Sequence, residues 1–429
     1  MRIRLSRESG SAVLICLIVA SIMGMALASY LSLVSAQHLS VARSQAWNIS
    51  VPVVEGGIEE ALSHLYYNGP TNLGTAGWSA DYFGHYNKWR QVGDGWAFMT
   101  ISNATSLTPT VYSRGYVRVP LSNGQWIQRL IMINTRRDNL FTKGLVAKGQ
   151  ITLNGNNVAI DSFDSADPNY SSNGVYVVSK RKANGDVASN SGVTNAIITG
   201  NANIFGKAST GPGGTVGHGP NGAVGDLAWQ YGGNTGIKPG FSADDMNVSF
   251  PDVKLPFSGG FTPGGGSGYQ YVISTSGDYR ISSLSGSLLI ASNANVRLIV
   301  DGNISLTGQD KIMIEGGGCL NLYMAGAEAK ITGTGVVNQN GNATNFFYWG
   351  TTNNTTLAVN GNGSFKGVIY APNANFTMNG GGNSNLEDIT GASVTATARI
   401  NGNFNFHYDE NLGRLNFSRG YIITAWNEL

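Results

Sequence analysis

The sequence predicts a mainly β protein. A helix crosses a membrane near the N-terminus and runs on as an amphipathic helix over a small antiparallel sheet; a right-handed parallel β-helix follows. Three observations predict this. First, 59 of 429 residues are Gly and only 12% are charged, yet 41% are hydrophobic. Disorder needs high charge with low hydrophobicity, so this composition belongs to an ordered, turn-rich chain. Second, one long apolar run carries no charge. Third, Asn-Gly pairs recur at 360, 379 and 401, spacings of 19 and 22 residues that suit one turn of a stacked repeat.

The chain divides on these signals into a leader (1–10), a transmembrane helix (11–36), a helix with a small sheet (37–140), a Gly/Asn-rich β-solenoid (141–412) and a C-terminal tail (413–429). Between Arg7/Glu8 and His38 there is no charged residue. The 26 residues from Ser11 to Ala36 would span about 39 Å as a helix, against a hydrocarbon core of about 30 Å. Arg2, Arg4 and Arg7 precede the run, so the N-terminus is expected in the cytoplasm and the bulk of the chain outside the inner membrane. Ala26-Leu27-Ala28 offers an alternative outcome, a signal-peptidase site after an apolar stretch.

Helical periodicity continues past the apolar run. Val53, Val54, Ile58, Ala61, Leu62 and Leu65 fall on one face, and Pro52 predicts a kink. At these residues, VARSQAWNISVPVVEGGIEEALSHLYYN with its basic leader and apolar helix, the chain resembles PilX-like pilins and pilin-like proteins of type IV pilus and type II secretion systems. The resemblance implies prepilin-peptidase cleavage between Gly10 and Ser11, and pilus or pseudopilus subunits as partners. It also implies a Glu as the fifth mature residue, where this chain has Ile15.

Residues 69 to 140 hold three β-type runs, WAFMTIS (96–102), TVYSRGYVRVP (110–120) and QWIQRLIMIN (125–134), with Leu121-Ser122-Asn123-Gly124 as a turn between the last two. Trp78, Trp89, Trp96 and Trp126 concentrate here and are expected in the core.

Beyond Arg136-Arg137-Asp138 the texture changes. SFKGVIYAPNANFTMNG (364–380) and DITGASVTATARINGN (388–403) share one plan: Gly, apolar strand, bend, second strand, Asn-Gly. Single strands this short cannot bury an apolar face alone, but stacked copies would gather Ile369, Phe376, Met378 and Ile400 into one column. Low charge suits stacking, since in-register like charges would lie about 4.8 Å apart. PDVKLPFSGGFTPGGGSG (251–268) reads as a linker or strap that divides the repeats. The stretch from Leu140 to Leu412 resembles an uncharacterised Gly-rich domain of bacterial cell-envelope proteins, for which no catalytic residues can be carried over.

Chemistry has few footholds. Asp161, Asp164 and Asp167 read as a solvated loop. His407-Tyr408-Asp409-Glu410 reads as an end cap where the repeats stop, and Asp244-Asp245 has no aligned neighbour. GPGGTVGHGPNGAVGD (211–226) lacks the Gly-Lys-Ser/Thr of a phosphate loop. Five scattered His give no metal spacing, Cys16 and Cys319 give no disulfide framework, and a net charge of +2 marks no nucleic-acid partner. No metal, cofactor or catalytic residue is expected. The expected role is a non-enzymatic minor or tip-type pilin-like component that displays its solenoid for adhesion, with surface polysaccharide as a further partner. The alternatives are a β-helix enzyme acting on polysaccharide and a plain membrane-anchored adhesin. The tail RLNFSRGYIITAWNEL is apolar enough to dock on the body.

Overall fold

The computed structural model describes residues 9–120, 122–155, 158–360, 365–380, 389–402, 404–415 and 417–429. The protein is mainly β, with one long apolar N-terminal helix and several sheets. It divides into two compact units. One comprises the chain up to Asp138 together with Ser418–Leu429, and the other comprises Asn139–Phe417.

In the first unit, helix α1 (Ser9–Tyr67) continues through Pro52. Its N-terminal part is exposed, whereas Ala42, Ala46, Val53, Val54, Ile58, Ala61 and Leu65 are buried against a sheet. The sheet comprises β1 (Ser79–Ala80), β2 (Tyr86–Val92), β3 (Gly95–Ser102), β4 (Thr110–Arg118) and β5 (Trp126–Asn139), antiparallel in chain order. Residues on β3 and β4 alternate cleanly between the two faces. Ala97, Met99, Ile101, Val111 and Val117 face the core, as period-two alternation requires. Helix and sheet approach closely at two glycines, Gly57 on the helix and Gly115 on β4: a Cβ on Gly115 would lie 2.7 Å from Val54 and one on Gly57 2.5 Å from Ser113. The Asn-Gly turn before β5 places Gly124 at φ 73°, in the left-handed region; Leu121 lies outside the described residues.

Two sequence expectations fail in this unit. Trp89, Trp96 and Trp126 are exposed, not core; only Trp78 is buried. The C-terminal tail docks on the Gly-rich body only at its start, where Leu415 and Phe417 pack against a core cluster of that unit; Ser418–Glu428 is instead the sixth strand of this antiparallel sheet, beside β5. Arg129 pairs with Glu428 at 2.7 Å, and Leu429 N–H donates to Leu130 O.

The second unit is built from short parallel strands that stack in register. Side-chain hydrogen bonds between neighbouring strands join residues 19 to 28 positions apart. The chain order and the spatial order differ. From Gly277–Ile281 the stack proceeds through Asn295–Val300, Cys319–Met324, Phe346–Gly350 and Phe365–Gly380 to Ile389–Gly402. It then continues with strands from the beginning of the unit: Ser393 lies opposite Leu145, Ala398 opposite Ile151, and Phe406 opposite Ile160. One apolar column crosses this seam in register, Ile304, Ala329, Leu357, Phe376, Ala398, Ile151 and Ile197. Ile369, Phe376, Met378 and Ile400 are all buried in the same core cluster. Asn360, Asn379, Asn401 and Asn154 also lie in register, so the Asn-Gly spacing seen in the sequence is the spacing between layers.

A chain that ends its first stack at one end and begins the next at the other must return along the side. Residues 246–261 do so. Met246 N–H reaches Thr210 O, Val248 pairs with Asn190, Pro251 O accepts from Tyr370 Oη, Val253 bridges to Thr351 and Phe261 to Tyr279. Met246 and Phe250 of this strap belong to the same buried cluster as Phe347, Trp349 and Tyr370. Outer-face charges of opposite sign stack on neighbouring strands, as Arg297 does on Asp278 at 2.6 Å and Arg280 on Asp301 at 2.8 Å.

Candidate functional site

Two places in the protein combine residues of functional type: the N-terminal helix and the seam of the second unit. The segment Ala12–Tyr67 is long and apolar enough to cross a membrane, with an 18-residue window of mean hydropathy 2.5, none of it buried. Gly10 and Ser11 lie in the first turns of α1, and Ala26 and Ala28 lie mid-helix and exposed. Arg2, Arg4 and Arg7 lie outside the described residues.

At the seam, two acidic clusters far apart in sequence form one network. The strand Asn405–Asp409 lies between Ile389–Gly402 and Ala159–Phe163, pairing in parallel with both. His407-Tyr408-Asp409-Glu410 is therefore mid-stack and not an end cap, because the early layers dock onto the late ones. Nor are Asp161 and Asp164 solvated: both are buried. Asp161 accepts a hydrogen bond from Tyr176 Oη at 2.8 Å and lies 2.5 Å from His407 Nδ1, with Arg181 at 3.6 Å. Tyr176 stacks on the His407 ring at 3.6 Å. Glu410 gathers Ser162, Lys182 and Asn184.

Burial pushes the Asp164 carboxyl up, but hydrogen bonds from Arg414 and from Ala166 N–H outweigh it and leave the pKa below the usual range. For Asp409 burial dominates, and despite donation from Ser165 and Asn411 its pKa is raised. Asp161, Asp164 and Glu410 are each engaged by a cation, so the arrangement acts as a weld between the early and late layers. A buried charge stripped of its partner costs several kcal/mol, about 3–5. Asp244 and Asp245 are exposed just before the return segment.

Residues 268–415 match the family model described as Domain of unknown function (DUF7305). The match covers one side of the seam. The DUF7305-like segment supplies His407, Asp409, Glu410 and Arg414, whereas Asp161, Asp164, Tyr176, Arg181 and Lys182 come from outside it. No curated protein and no solved structure matches the chain.

Beside the seam, a cleft of about 410 Å³ is lined by Arg181, Phe205, Asn221, Gln230, Tyr231 and Asn234, among others. Arg181 lies over both rings, 4.6 Å from the centre of Phe205 and 5.3 Å from that of Tyr231. Sequence reading missed this cleft, since its residues are scattered from Ala159 to Thr235 with no shared spacing. The only local signal was the Gly-rich run that contributes Asn221.

Proposed function

We propose that this chain is a non-enzymatic, pilin-like component of a type IV pilus or related secretion apparatus, anchored in the inner membrane by α1. Its second unit would be a right-handed parallel β-helix displayed outside that membrane, where it serves adhesion. The observation that carries this reading is α1 itself, one helix with an exposed apolar half and an amphipathic half packed on an antiparallel sheet. The parallel strands in register, with strand spacings near 20 residues, support the β-helix. Right-handed crossovers are the near-universal form for parallel strands.

Against polysaccharide cleavage stands the lining of the cleft beside the seam, which contains no carboxylate among the described residues. A glycosidase needs two.

The test is the mass of the mature N-terminal peptide, taken from membrane and from sheared surface fractions. A start at Ser11 in the sheared fraction supports filament assembly despite Ile15. A start at Ser29 in soluble protein removes the anchor and sinks the proposal; an intact leader confined to the membrane leaves a plain anchored adhesin.

A further inference from the structure

The face of the antiparallel sheet turned away from α1 has a composition unlike the rest of the surface. Strand pairing sets its side chains in rows. One row is Gln91, Trp96, Tyr116 and Gln128; the next is Trp89, Phe98, Arg114 and Leu130. Arg118 and Trp126 lie opposite each other beyond the first row. With strands about 4.8 Å apart, a four-strand row is about 14 Å wide. Trp89 packs on Phe98 at 4.8 Å and on Tyr116 at 5.5 Å, so its ring is held in place while 55% of the residue stays exposed. Trp96 and Trp126 are 41% and 50% exposed. Three tryptophans left in water by their own sheet form an apolar patch of the kind that marks an interaction site.

The charges on this face select the partner. The paired segments 86–92, 95–102, 110–118 and 126–134 contain no carboxylate. Lys88 and Arg90 of β2 point the other way, to Glu60 on α1. Arg114 and Arg118 remain on the aromatic side, and neither forms an ion pair among the described residues. The complementary ligand therefore offers flat apolar faces to stack on fixed rings, hydroxyls for the flanking Gln91 and Gln128, and sparse negative charge for two guanidiniums.

We propose that this face binds an acidic polysaccharide, a polymer of uronic-acid type, with its sugar rings stacked on Trp89 and Trp96 and its carboxylates met by Arg114 and Arg118. Single-stranded nucleic acid also stacks on aromatics, but it carries a charge at every nucleotide and is held in basic grooves that track the backbone. Two arginines do not make such a groove. Rigid aromatic rings bind at low entropic cost, so a preformed platform suits a weakly hydrated sugar face.

The proposal is independent of filament assembly, because its test reads binding and not N-terminal processing. Full-length protein in detergent micelles is run in native gels cast with polygalacturonate, with neutral dextran or with no polymer. Retardation by polygalacturonate is expected, reduced at least tenfold in apparent affinity by Trp89→Ala with Trp96→Ala. Arg118→Gln, which leaves the rings in place, is expected to weaken binding to polygalacturonate several-fold and to flatten its salt dependence. A thermal melt of each variant reports folding. Unretarded wild-type protein overturns the proposal. So does a folded double-tryptophan variant retarded like wild type, or displacement of the polymer by an equal mass of oligo-dT.

Discussion

Asp164 and Asp409 answer acid in opposite senses although both lie at the seam. The Asp164 pKa is lowered in the folded protein, so its contribution to stability is complete above the ordinary carboxylate range and is lost as pH falls through its folded value. Asp409 is raised, so it costs stability as pH rises from the ordinary value to its own. Arg414→Ala is expected to destabilise the second unit by about 2 kcal/mol at pH 7. The gap should narrow below about pH 3.8, where Asp164 is protonated in the unfolded chain. Urea midpoints at pH 7 and pH 3 check this, and equal gaps at both would refute it. Asp161–Asp167 and His407–Glu410 were visible in the sequence as acidic clusters. Their meeting was not, because 246 positions separate Asp161 from His407 and nothing local to either strand encodes a partner that distant.

At the scale of elements, the packing of α1 on the sheet depends on two absent side chains. Gly115→Val is expected to destabilise the first unit by about 2 kcal/mol, because its Cβ would meet Val54 at 2.7 Å and Ser50 O at 3.1 Å. Gly74→Ala, with open space around it, is expected to change stability by no more than about 0.5 kcal/mol. Thermal melts of the two variants should differ accordingly, and similar losses would show that close approach is not what Gly115 provides. The helical face from Val53 to Leu65 and the strands β3, β4 and β5 were legible because each has one buried and one exposed side. Strand β2 was not, since its inward positions are Lys88 and Arg90, charged residues that reach Glu60 and break the apolar alternation. The aromatic residues were read as core on general grounds; the register of β2 to β5 turns three of the tryptophans outward.

For the whole molecule, the decisive feature is that the second unit is an insertion between β5 and the final strand of the first. Leu140 N–H donates to Phe417 O at 2.8 Å, so the chain enters and leaves that unit side by side. A chain ending after Phe417 is expected to keep the melting transition of the second unit and to lose or lower that of the first, which then lacks its sixth strand. Calorimetry of the full and shortened chains checks this, and a shift of both transitions together would contradict it. The repeat period and the strap were legible in the sequence. The permuted stacking was not, because every layer is written in the same Gly, Asn and β-branched vocabulary and any layer could pair with any other.

The seam and the final strand also set an order in time. The layer at 145–163 leaves the ribosome early, yet one of its neighbours in the stack is at 389–409, and the last strand of the first sheet is made later still. During synthesis, both units wait with open sheet edges until residues 389–428 have been made, which is when such edges invite aggregation. Arrival of Ser418–Glu428 is thus the event that closes the first sheet, and a chain stopped before it is marked as defective by the edges it leaves exposed.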